Sequence, residues 1–273
     1  MRKKLGQYFL KDKSVLRKIA WLLDAKPNDV IVEIGPGHGE LTKYLLEAKP
    51  EKVIAIEKDK RLVGKLRKNI QFPISNFQTN PKSQNPKLEI VEDDILRALP
   101  TLFNQLKTDN YKLIGNIPYY ITGYLLRILG ELEHKPELIV LTVQKEVAER
   151  ICAIPPKMNL LAASVQFWAT PTIAGVVNRK AFNPPPEVDS AIIKLVPKSY
   201  ILNSKSYYQF IKILFKQPRK TVLNNLSAGL EIPKEEAVKR LTKQGIKPGM
   251  RPQNLSIEDL LNLSVDNVFR AKK

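Results

Sequence analysis

Asn116, Ile117, Pro118 and Tyr119 follow one another after an apolar run, and they offer the groups that bind a planar base with an exocyclic amine. Asn116 supplies a side-chain amide oxygen, and the carbonyl of Ile117 precedes a proline. The ring of Tyr119 can stack on the face of a base. The pattern predicts a loop that holds an amine by its two N–H groups, and the hypothesis that follows is methyl transfer onto N6 of adenine.

Such a loop needs no nucleophilic side chain. Two oxygen acceptors discourage the lone pair of the amine from delocalising into the ring, and they aim it at a methyl carbon. Most of the acceleration then comes from positioning, which can supply on the order of 7 to 11 kcal/mol. The alternative interpretation of these residues is an ordinary turn after a strand, since Asn and Pro are common in turns.

A glycine-rich turn follows the first predicted strand, with Gly35, Gly37 and Gly39 at alternate positions. Glycines let the backbone bend sharply and approach a ligand closely, as in nucleotide-binding βαβ units. Pro36 removes an amide that a phosphate would bind. The turn therefore favours a cofactor without phosphates over a dinucleotide, and S-adenosylmethionine is such a cofactor.

Two carboxylates are predicted near the ends of the next strands. Glu57 lies 22 residues after Gly35, where a carboxylate can accept hydrogen bonds from both hydroxyls of a ribose. The same placement suits NAD, so Glu57 does not decide between the two cofactors. Asp94 is predicted to lie near the adenine amine of the cofactor. Its alternative role is to cap the helix that follows.

A second aromatic residue, Phe182, stands just before three consecutive prolines in AFNPPPEVDS. We expect Phe182 to close the opposite face of a base that has been taken out of its helix. The alternative is a core residue that anchors the turn. The two histidines, His38 and His134, lie neither in a ligand pair nor beside a candidate nucleophile. The sequence therefore predicts no metal site and no catalytic triad.

Short β-branched runs alternate with helical periodicity between residues 30 and 143. This rhythm predicts a parallel sheet with helices on both faces. Two later runs flank the prolines and predict an antiparallel hairpin that completes the sheet. The fold class is therefore α/β, a Rossmann-like sheet of the S-adenosylmethionine-dependent methyltransferase type. The polar candidates lie at the carboxyl ends of the strands, where such sheets bind ligands.

After Pro197 the pattern changes to helices alone, predicted at 207–216, 219–228, 234–244 and 257–263. Two domains are therefore expected. Residues 1–197 form a catalytic domain that binds S-adenosylmethionine, and residues 198–273 form a small all-α domain that binds RNA. The stretch 71–87, rich in Asn, Pro, Ser and Gln, is predicted to be an exposed loop.

The chain is strongly basic. It carries 45 Lys and Arg against 27 Asp and Glu, a net charge of +18. Residues 198–273 hold 15 basic and 6 acidic side chains, which gives a net charge of +9 for this segment. Such clustering is typical of a surface that binds phosphates, and nucleic acid is the expected partner. A solvated lysine-rich surface is the alternative.

Cysteine usage and hydropathy narrow the class of protein further. A single cysteine, Cys152, excludes an internal disulfide framework. No apolar stretch approaches the length of a membrane span, and the first residues lack the apolar segment of a signal peptide. We expect a soluble cytoplasmic protein with no membrane partner, and nothing in the sequence demands more than a monomer.

Several motifs occur in one order along the chain and together resemble a known family. They are LGQYFL, VEIGPGHGELT, IAIEKD, NIPYYI, QKEVAERI, FNPPPEVDSAIIKLVP, FKQPRKTVLNNL and GIKPGMRPQNLS. The chain resembles the ribosomal RNA adenine dimethyltransferases over nearly its whole length. It is most similar to the branch that dimethylates small-subunit (16S) ribosomal RNA.

This resemblance implies an enzyme that uses S-adenosylmethionine and makes N6,N6-dimethyladenosine at two adjacent adenosines near the 3′ end of the small-subunit RNA. The RNA would be bound within the small subunit or its precursor, in part by Arg219 and Lys220 of the basic helical domain. Base contacts are implied for Asn116, Ile117, Pro118, Tyr119 and Phe182. Cofactor contacts are implied for Tyr8, Leu10, Gly35, Gly37, Glu57, Asp94 and Asn116.

Two residues depart from the pattern of the family. Tyr8 stands where Asn is frequent, and Pro218 stands where Arg is usual, which removes one cation and predicts the first turn of a helix instead. Three alternatives to the function remain open: a large-subunit RNA methyltransferase that confers antibiotic resistance, a DNA adenine methyltransferase, and a non-catalytic RNA-binding assembly factor on the same scaffold.

Overall fold

A computed structural model describes residues 8–70, 87–106, 110–198 and 204–265. Residues 71–86 of the predicted loop lie outside the described residues. The chain divides into two compact units, one of residues 1–148 and 172–197 and the other of residues 149–171 and 198–273. The change after Pro197 was predicted from the sequence, whereas the grouping of 149–171 with the second unit was not.

The elements alternate as expected for an α/β chain. The strands are β1 (Phe9–Leu10), β2 (Val30–Ile34), β3 (Lys52–Glu57), β4 (Leu88–Glu92), β5 (Tyr111–Asn116), β6 (Leu138–Gln144), β7 (Ala169–Val177), β8 (Phe182–Asn183) and β9 (Ser190–Pro197). The helices are α1 (Lys13–Leu22), α2 (Glu40–Glu47), α3 (Lys60–Ile70), α4 (Ile95–Gln105), α5 (Thr122–Glu131), α6 (Lys145–Ile151), α7 (Leu160–Gln166), α8 (Ser204–Leu214), α9 (Val222–Leu230), α10 (Lys234–Lys243) and α11 (Ile257–Val265). Short 3-10 turns cover Tyr119–Ile121, Arg179–Ala181 and Pro252–Asn254.

The first unit is built on a seven-stranded sheet in the order β4-β3-β2-β5-β6-β9-β7. Strands β2 to β6 run parallel, and β9 runs antiparallel to β6. Every residue of β2 is buried, as expected for a strand covered by helices on both faces. The predicted parallel sheet with a late antiparallel hairpin is confirmed.

The register of the parallel strands brings the polar loops to one level. Ile34 of β2 lies opposite Ile56 of β3 and Gly115 of β5. A Cβ atom at Gly115 would lie 2.8 Å from the carbonyl oxygen of Ile34, so only glycine lets β5 approach β2 this closely. Gly35, Glu57 and Asn116 therefore leave the sheet side by side, at its carboxyl edge.

A short second sheet ties the beginning of the described chain to the turn after β7. Leu10 of β1 lies opposite Phe182 of β8, and Phe9 lies opposite Asn183. The amide of Lys11 donates to the carbonyl of Ala181 over 2.8 Å. This pairing holds residues 8–11 in place, and it was not predicted from the sequence.

At the amino ends of the parallel strands, β5 carries a buried ion pair. Lys112 Nζ lies 2.8 Å from Asp29 Oδ2, and the two side chains are 2% and 1% exposed. Lys112 also donates to the carbonyl of Asp24 over 2.6 Å. The backbone amide of Lys26 donates a hydrogen bond to the same carboxylate oxygen, Asp29 Oδ2. The pair fixes the loop between α1 and β2 against the central strand.

The second unit contains α7 to α11. The ring of Phe167, just after α7, stacks on Tyr207 of α8 with centroids 4.1 Å apart. The Tyr207 hydroxyl donates to the carbonyl of Ala163 over 3.0 Å. Both tyrosine and phenylalanine are buried, so the contact gives segment 149–171 a hydrophobic core in common with the C-terminal helices.

Candidate active site

The loops at the carboxyl edge of the sheet form an open cavity. It joins the glycine turn to the Asn116–Tyr119 loop, as the sequence predicted. The residues that line it are Tyr8, Phe9, Gly35, Gly37, Glu57, Leu62, Asn116, Ile117, Pro118 and Tyr119.

The glycine turn shapes one end of the cavity. Gly37 has φ +59, and a Cβ atom there would lie 3.0 Å from the ring of Phe9. A side chain would therefore be strained and would also displace Phe9. The amide of Gly35 donates to the carbonyl of Ile56 over 2.9 Å, which fixes where the turn leaves the sheet.

Glu57 presents a carboxylate to the same end of the cavity. Its Oε2 accepts from the amide of Gly37 over 3.2 Å, and its Oε1 accepts from the amide of Asp59 over 2.8 Å. Burial raises the pKa of Glu57. Each carboxylate oxygen has a second lone pair, so Glu57 can still accept a hydroxyl of a ligand from a fixed orientation.

Glu33 lies beneath this end of the cavity, two residues before Gly35 on β2. It is buried, and burial raises the pKa of Glu33 to about 8. Within the described part of the chain its Oε2 has no hydrogen-bond partner. Glu57 and Glu40 lie near enough to oppose its ionisation. A neutral Glu33 is therefore the favoured form at pH 7.

Asn116 lies between the glycine turn and Tyr119 in the cavity, and its side chain has a defined orientation. Nδ2 donates to the carbonyl of Tyr8 over 2.9 Å. Because a carbonyl can only accept, the nitrogen must face Tyr8 and the acceptor Oδ1 is the opposite end of the amide. The contact also explains how the first described residues are attached to the wall of the cavity.

Tyr119 forms the far wall and is held at its hydroxyl. That oxygen lies 2.8 Å from Oγ of Ser190, a buried residue of β9. Burial raises the pKa of Tyr119, so the phenol stays neutral at ordinary pH. The Tyr8 ring lies against it, with centroids 5.6 Å apart and planes inclined by 32°.

Tyr8 and Tyr119 therefore form a continuous aromatic wall. A base between two rings needs roughly 7 Å, twice a van der Waals separation of about 3.5 Å, and the 5.6 Å between these centroids leaves no such space. A base would stack on the open side of the wall instead. Tyr8, a departure from the family pattern, adds a second ring to this wall, but it does not close the opposite face of a base, which is the role that the sequence assigned to Phe182.

Phe182 and Leu10 lie elsewhere. Phe182 is 4% exposed, Leu10 is 5% exposed, and both belong to the hydrophobic core. They face each other across the two-stranded sheet, so the structure does not bring either side chain to the cavity. The alternative interpretation of Phe182, as a core residue that anchors the proline turn, fits its position. Their role is to hold Tyr8 and Phe9 in place.

Asp94 is close to the cavity loops but does not line the cavity. Its Oδ1 accepts from the amide of Leu96, so it caps α4 as the alternative interpretation proposed. Its Oδ2 accepts from Lys58 Nζ over 2.5 Å. This hydrogen bond lowers the pKa of Asp94. Lys58 was not singled out from the sequence, although it directly follows Glu57.

Two further lining residues, Phe9 and Leu62, were also missed. Phe9 lies between two residues of the LGQYFL motif that were chosen, and the strand alternation of β1 turns it toward Gly37. Leu62 lies in the first turn of α3, five residues after Glu57. An apolar residue at the start of the helix that follows Glu57 was the available signal.

In the second unit, Arg219 and Lys220 are exposed on the loop between α8 and α9. Asn225, 5% exposed, holds this loop. Its Nδ2 donates to the carbonyls of Gln217 and Thr221 over 3.0 and 3.1 Å, and its Oδ1 accepts from the amide of Gln217 over 3.2 Å. The basic side chains therefore extend from a fixed backbone.

The prediction that Pro218 begins a helix is wrong. Pro218 lies in a turn, and α9 begins at Val222. Thr221 is the N-cap, because its Oγ1 accepts from the amide of Asn224 over 3.2 Å. The Asn225 hydrogen bonds keep residues 217–221 in a loop and delay the helix.

Comparison with known proteins agrees with the geometry of the cavity. The family model described as ribosomal RNA adenine dimethylase matches residues 1–266. The chain belongs to this family. The ribosomal RNA small subunit methyltransferase A of Dehalococcoides mccartyi is 41% identical to it over 264 residues, which cover 94% of this chain and 85% of the relative. The protein of that name from Mycoplasma mycoides is 35% identical, with 96% of each chain covered.

Solved structures show the same fold. A dimethyladenosine transferase from Plasmodium falciparum has a TM-score of 0.76 and 30% identity, with 93% of this chain and 95% of that chain covered. The 23S rRNA methyltransferase ErmE has a TM-score of 0.71 at 23% identity, over 94% of this chain and 98% of that chain, and shows the fold alone. The predicted family and fold are confirmed, and so is the predicted activity of an S-adenosylmethionine-dependent ribosomal RNA adenine methyltransferase.

The described ranges 8–70, 87–106, 110–198 and 204–265 contain no group of three or more His, Cys, Asp or Glu arranged to hold a metal ion. None of their helices is long and apolar enough to cross a membrane.

Proposed function

We propose that the protein transfers methyl groups from S-adenosylmethionine to N6 of two adjacent adenosines near the 3′ end of small-subunit ribosomal RNA. The RNA would be met within the small subunit or its precursor, in the cytoplasm, by a monomer. The observation that carries the proposal is the open cavity in which Asn116 connects the glycine turn to an aromatic wall. The names of the relatives support the choice of small-subunit RNA.

The residues at the glycine end fit a nucleoside cofactor without phosphates. Gly37 lines the cavity without a side chain, since a Cβ atom there would meet the ring of Phe9, and its backbone would lie against the cofactor. Glu57, held by two backbone amides, would accept the ribose hydroxyls. Asp94 would accept the adenine amine, provided that Lys58 shares or leaves its carboxylate. Bound there, S-adenosylmethionine would supply a methyl carbon activated by a positively charged sulfur.

The residues at the other end would hold the target amine. Asn116 Oδ1, the free end of a fixed amide, and the carbonyl of Ile117 would accept its two N–H bonds. Tyr119 would stack on the base, with its plane set by Ser190. Since the two acceptors are fixed before the base arrives, the nitrogen lone pair is aimed without further reorganisation. Positioning is then the main source of acceleration.

The second unit would bind the phosphate backbone through Arg219 and Lys220. Asn225 would act as a positioning residue for both cations. Neutralising phosphates makes affinity fall with salt, at about 0.7 logarithmic units per contact for single strands and 0.9 for duplexes. Changing both cations to Gln should therefore reduce the slope by roughly 1.4 to 1.8. Neutralising Lys234 and Lys239, exposed on α10, is the matched control.

The deciding experiment measures radiolabelled methyl transfer to unmethylated small subunits, mature large subunits and duplex DNA, followed by nucleoside analysis. Dimethyladenosine in small-subunit RNA alone is expected. Label that appears only in large-subunit RNA or in DNA would overturn the choice of substrate. Binding of S-adenosylmethionine in a calorimeter separates these outcomes from a non-catalytic scaffold, which would bind none.

The role of Asn116 has its own test. Asn116→Ala should reduce turnover by orders of magnitude and leave the affinity for small subunits nearly unchanged. Asn110→Ala is the matched control, because Asn110 precedes the same strand and donates its amide to the carbonyl of Asn28 over 3.2 Å. Full activity of Asn116→Ala would exclude the amine-binding mechanism.

A further inference from the structure

Two tyrosines beside the cavity are exposed to an unusual degree. Tyr120 is 67% exposed and Tyr124 is 55% exposed. The 3-10 turn that contains Tyr120 leads directly into α5, so the two side chains lie one helical turn apart on one face. The opposite face buries Ile121, Leu125 and Leu129 in the core. Packing therefore does not require an aromatic ring at either position.

Gly123 lies between these tyrosines on the same outward face. A Cβ atom built there would meet no atom within 4 Å, so the glycine is not needed to make room for the protein itself. Glycine is also a poor helix former. What it does provide is an open gap beside the two rings, in which no side chain covers the helix backbone.

Cations and the cavity adjoin this surface. Tyr119, the residue before Tyr120, lines the cavity. Lys58 lies within electrostatic range of Tyr120 and is 62% exposed at its side chain. One turn beyond Tyr124, Arg127 continues the outward face and pairs with Glu131 over 3.0 Å. The surface thus combines two aromatic rings with two cations, each paired with a carboxylate: Lys58 with Asp94 and Arg127 with Glu131.

We propose that Tyr120, Gly123 and Tyr124 form a second base-binding site, on which an unpaired nucleotide next to the target adenosine stacks. We call it the outer aromatic face. The proposal rests on the proposed methyl transfer to RNA. Aromatic rings interleaved with cations are the usual means of binding single-stranded nucleic acid, because every base has a π-face. A chain with a net charge of +18 favours a polyanion such as RNA over a basic or a purely apolar protein surface.

The outer aromatic face also has a mechanistic use. When a target base leaves its stack, its neighbour loses a stacking partner, which raises the cost of extrusion. A ring one or five residues from Tyr119, on Tyr120 or Tyr124, can replace that partner while the target amine reaches Asn116. The face would lower the KM for RNA and leave the methyl-transfer step unchanged, since none of its residues lines the cavity.

The test uses a single-stranded RNA of about ten nucleotides that carries 2-aminopurine next to one adenosine. Stacking on a ring quenches the fluorescence of this base analogue. Tyr120→Ala and Tyr124→Ala should each weaken binding on the order of tenfold and restore fluorescence, whereas the Phe variants should resemble the parent. Trp21→Ala, a change at another exposed aromatic residue (75% exposed) on α1, should have no effect.

A variant that adds a side chain at Gly123 distinguishes a blocked surface from a misfolded protein. Gly123→Leu fills the gap with a better helix former, so it should weaken RNA binding without lowering the melting temperature. Gly64→Leu is the matched control, because Gly64 is exposed in α3 and a Cβ atom there also meets nothing within 4 Å. On small subunits, Tyr120→Ala, Tyr124→Ala and Gly123→Leu should raise KM and leave kcat unchanged.

The outcomes separate this proposal from the proposed function. Quenching that depends on Tyr120 and Tyr124, in a protein that methylates no RNA, would leave the outer aromatic face standing and the function wrong. A protein that carries both Tyr120→Ala and Tyr124→Ala gives the opposite outcome. If it binds the RNA as the parent does, the face serves another class of partner, such as a protein of the subunit, and the proposal is wrong.

Discussion

Glu33 gives a quantitative prediction of how stability depends on pH. The carboxyl is buried beneath the glycine turn, and its pKa is raised from 4.5 to about 8 by burial. The perturbation is Glu33→Gln, which preserves the shape of the side chain and removes the ionisable group. The expectation is that the parent loses stability as pH rises, while the variant lacks this part of the dependence.

The sign follows from proton binding. Between pH 4.5 and about 8, the unfolded carboxyl is ionised while the native one keeps its proton. Unfolding then releases a proton, so the free energy of unfolding falls by about 1.4 kcal/mol for each unit of rising pH. The stabilisation is complete below pH 4.5 and lost as pH passes about 8. Over that span of pH the loss amounts to about 5 kcal/mol as an order of magnitude.

The assay is urea unfolding of parent and variant between pH 5 and 8. The difference between their free energies of unfolding isolates Glu33, because Glu57, whose pKa is also raised by burial, contributes to both proteins alike. Glu47→Gln, at the exposed end of α2, is the control and should leave the slope unchanged. A difference that stays constant from pH 5 to pH 8 would refute the reasoning.

Three further changes have defined consequences. Gly37→Ala should weaken S-adenosylmethionine binding at least tenfold in calorimetry, because the new Cβ would lie 3.0 Å from Phe9; unchanged affinity would show that the turn does not hold the cofactor. Ser190→Ala removes the partner of the Tyr119 hydroxyl and should lower kcat several-fold at constant cofactor affinity, and an unchanged kcat would contradict this. Lys112→Met leaves Asp29 buried without its cation and should cost about 3 to 5 kcal/mol in urea unfolding, whereas Lys52→Met, at an exposed pair, should cost under about 1 kcal/mol.

The parallel sheet was predictable because buried strands form near-continuous apolar runs, and VIVEI and YKLIG are such runs. The loops that follow these strands were therefore placed correctly. Parallel register then fixes that Gly35, Glu57 and Asn116 meet, without any knowledge of side-chain packing. This is why the centre of the site could be predicted from the sequence.

Residues outside those loops were harder to place, because their positions depend on contacts distant in the sequence. Phe182 looked accessible in its proline turn, but pairing with Leu10 draws it into the core. Asp94 has a cation partner only because β3 and β4 lie side by side and bring Lys58 to it. Segment 149–171 joins the second unit through Phe167 and Tyr207, a contact that no local pattern indicates.

The attachment of the aromatic wall has a consequence for synthesis of the protein. Tyr8 lies on a segment held by Ala181 and Phe182, and Tyr119 is held by Ser190. Neither ring has its support until the ribosome has added residue 190. The strands that carry Gly35, Glu57 and Asn116 are complete by residue 116. The backbone of the cavity is therefore synthesised long before its aromatic wall has any support, so the wall is the last part of the cavity to be assembled.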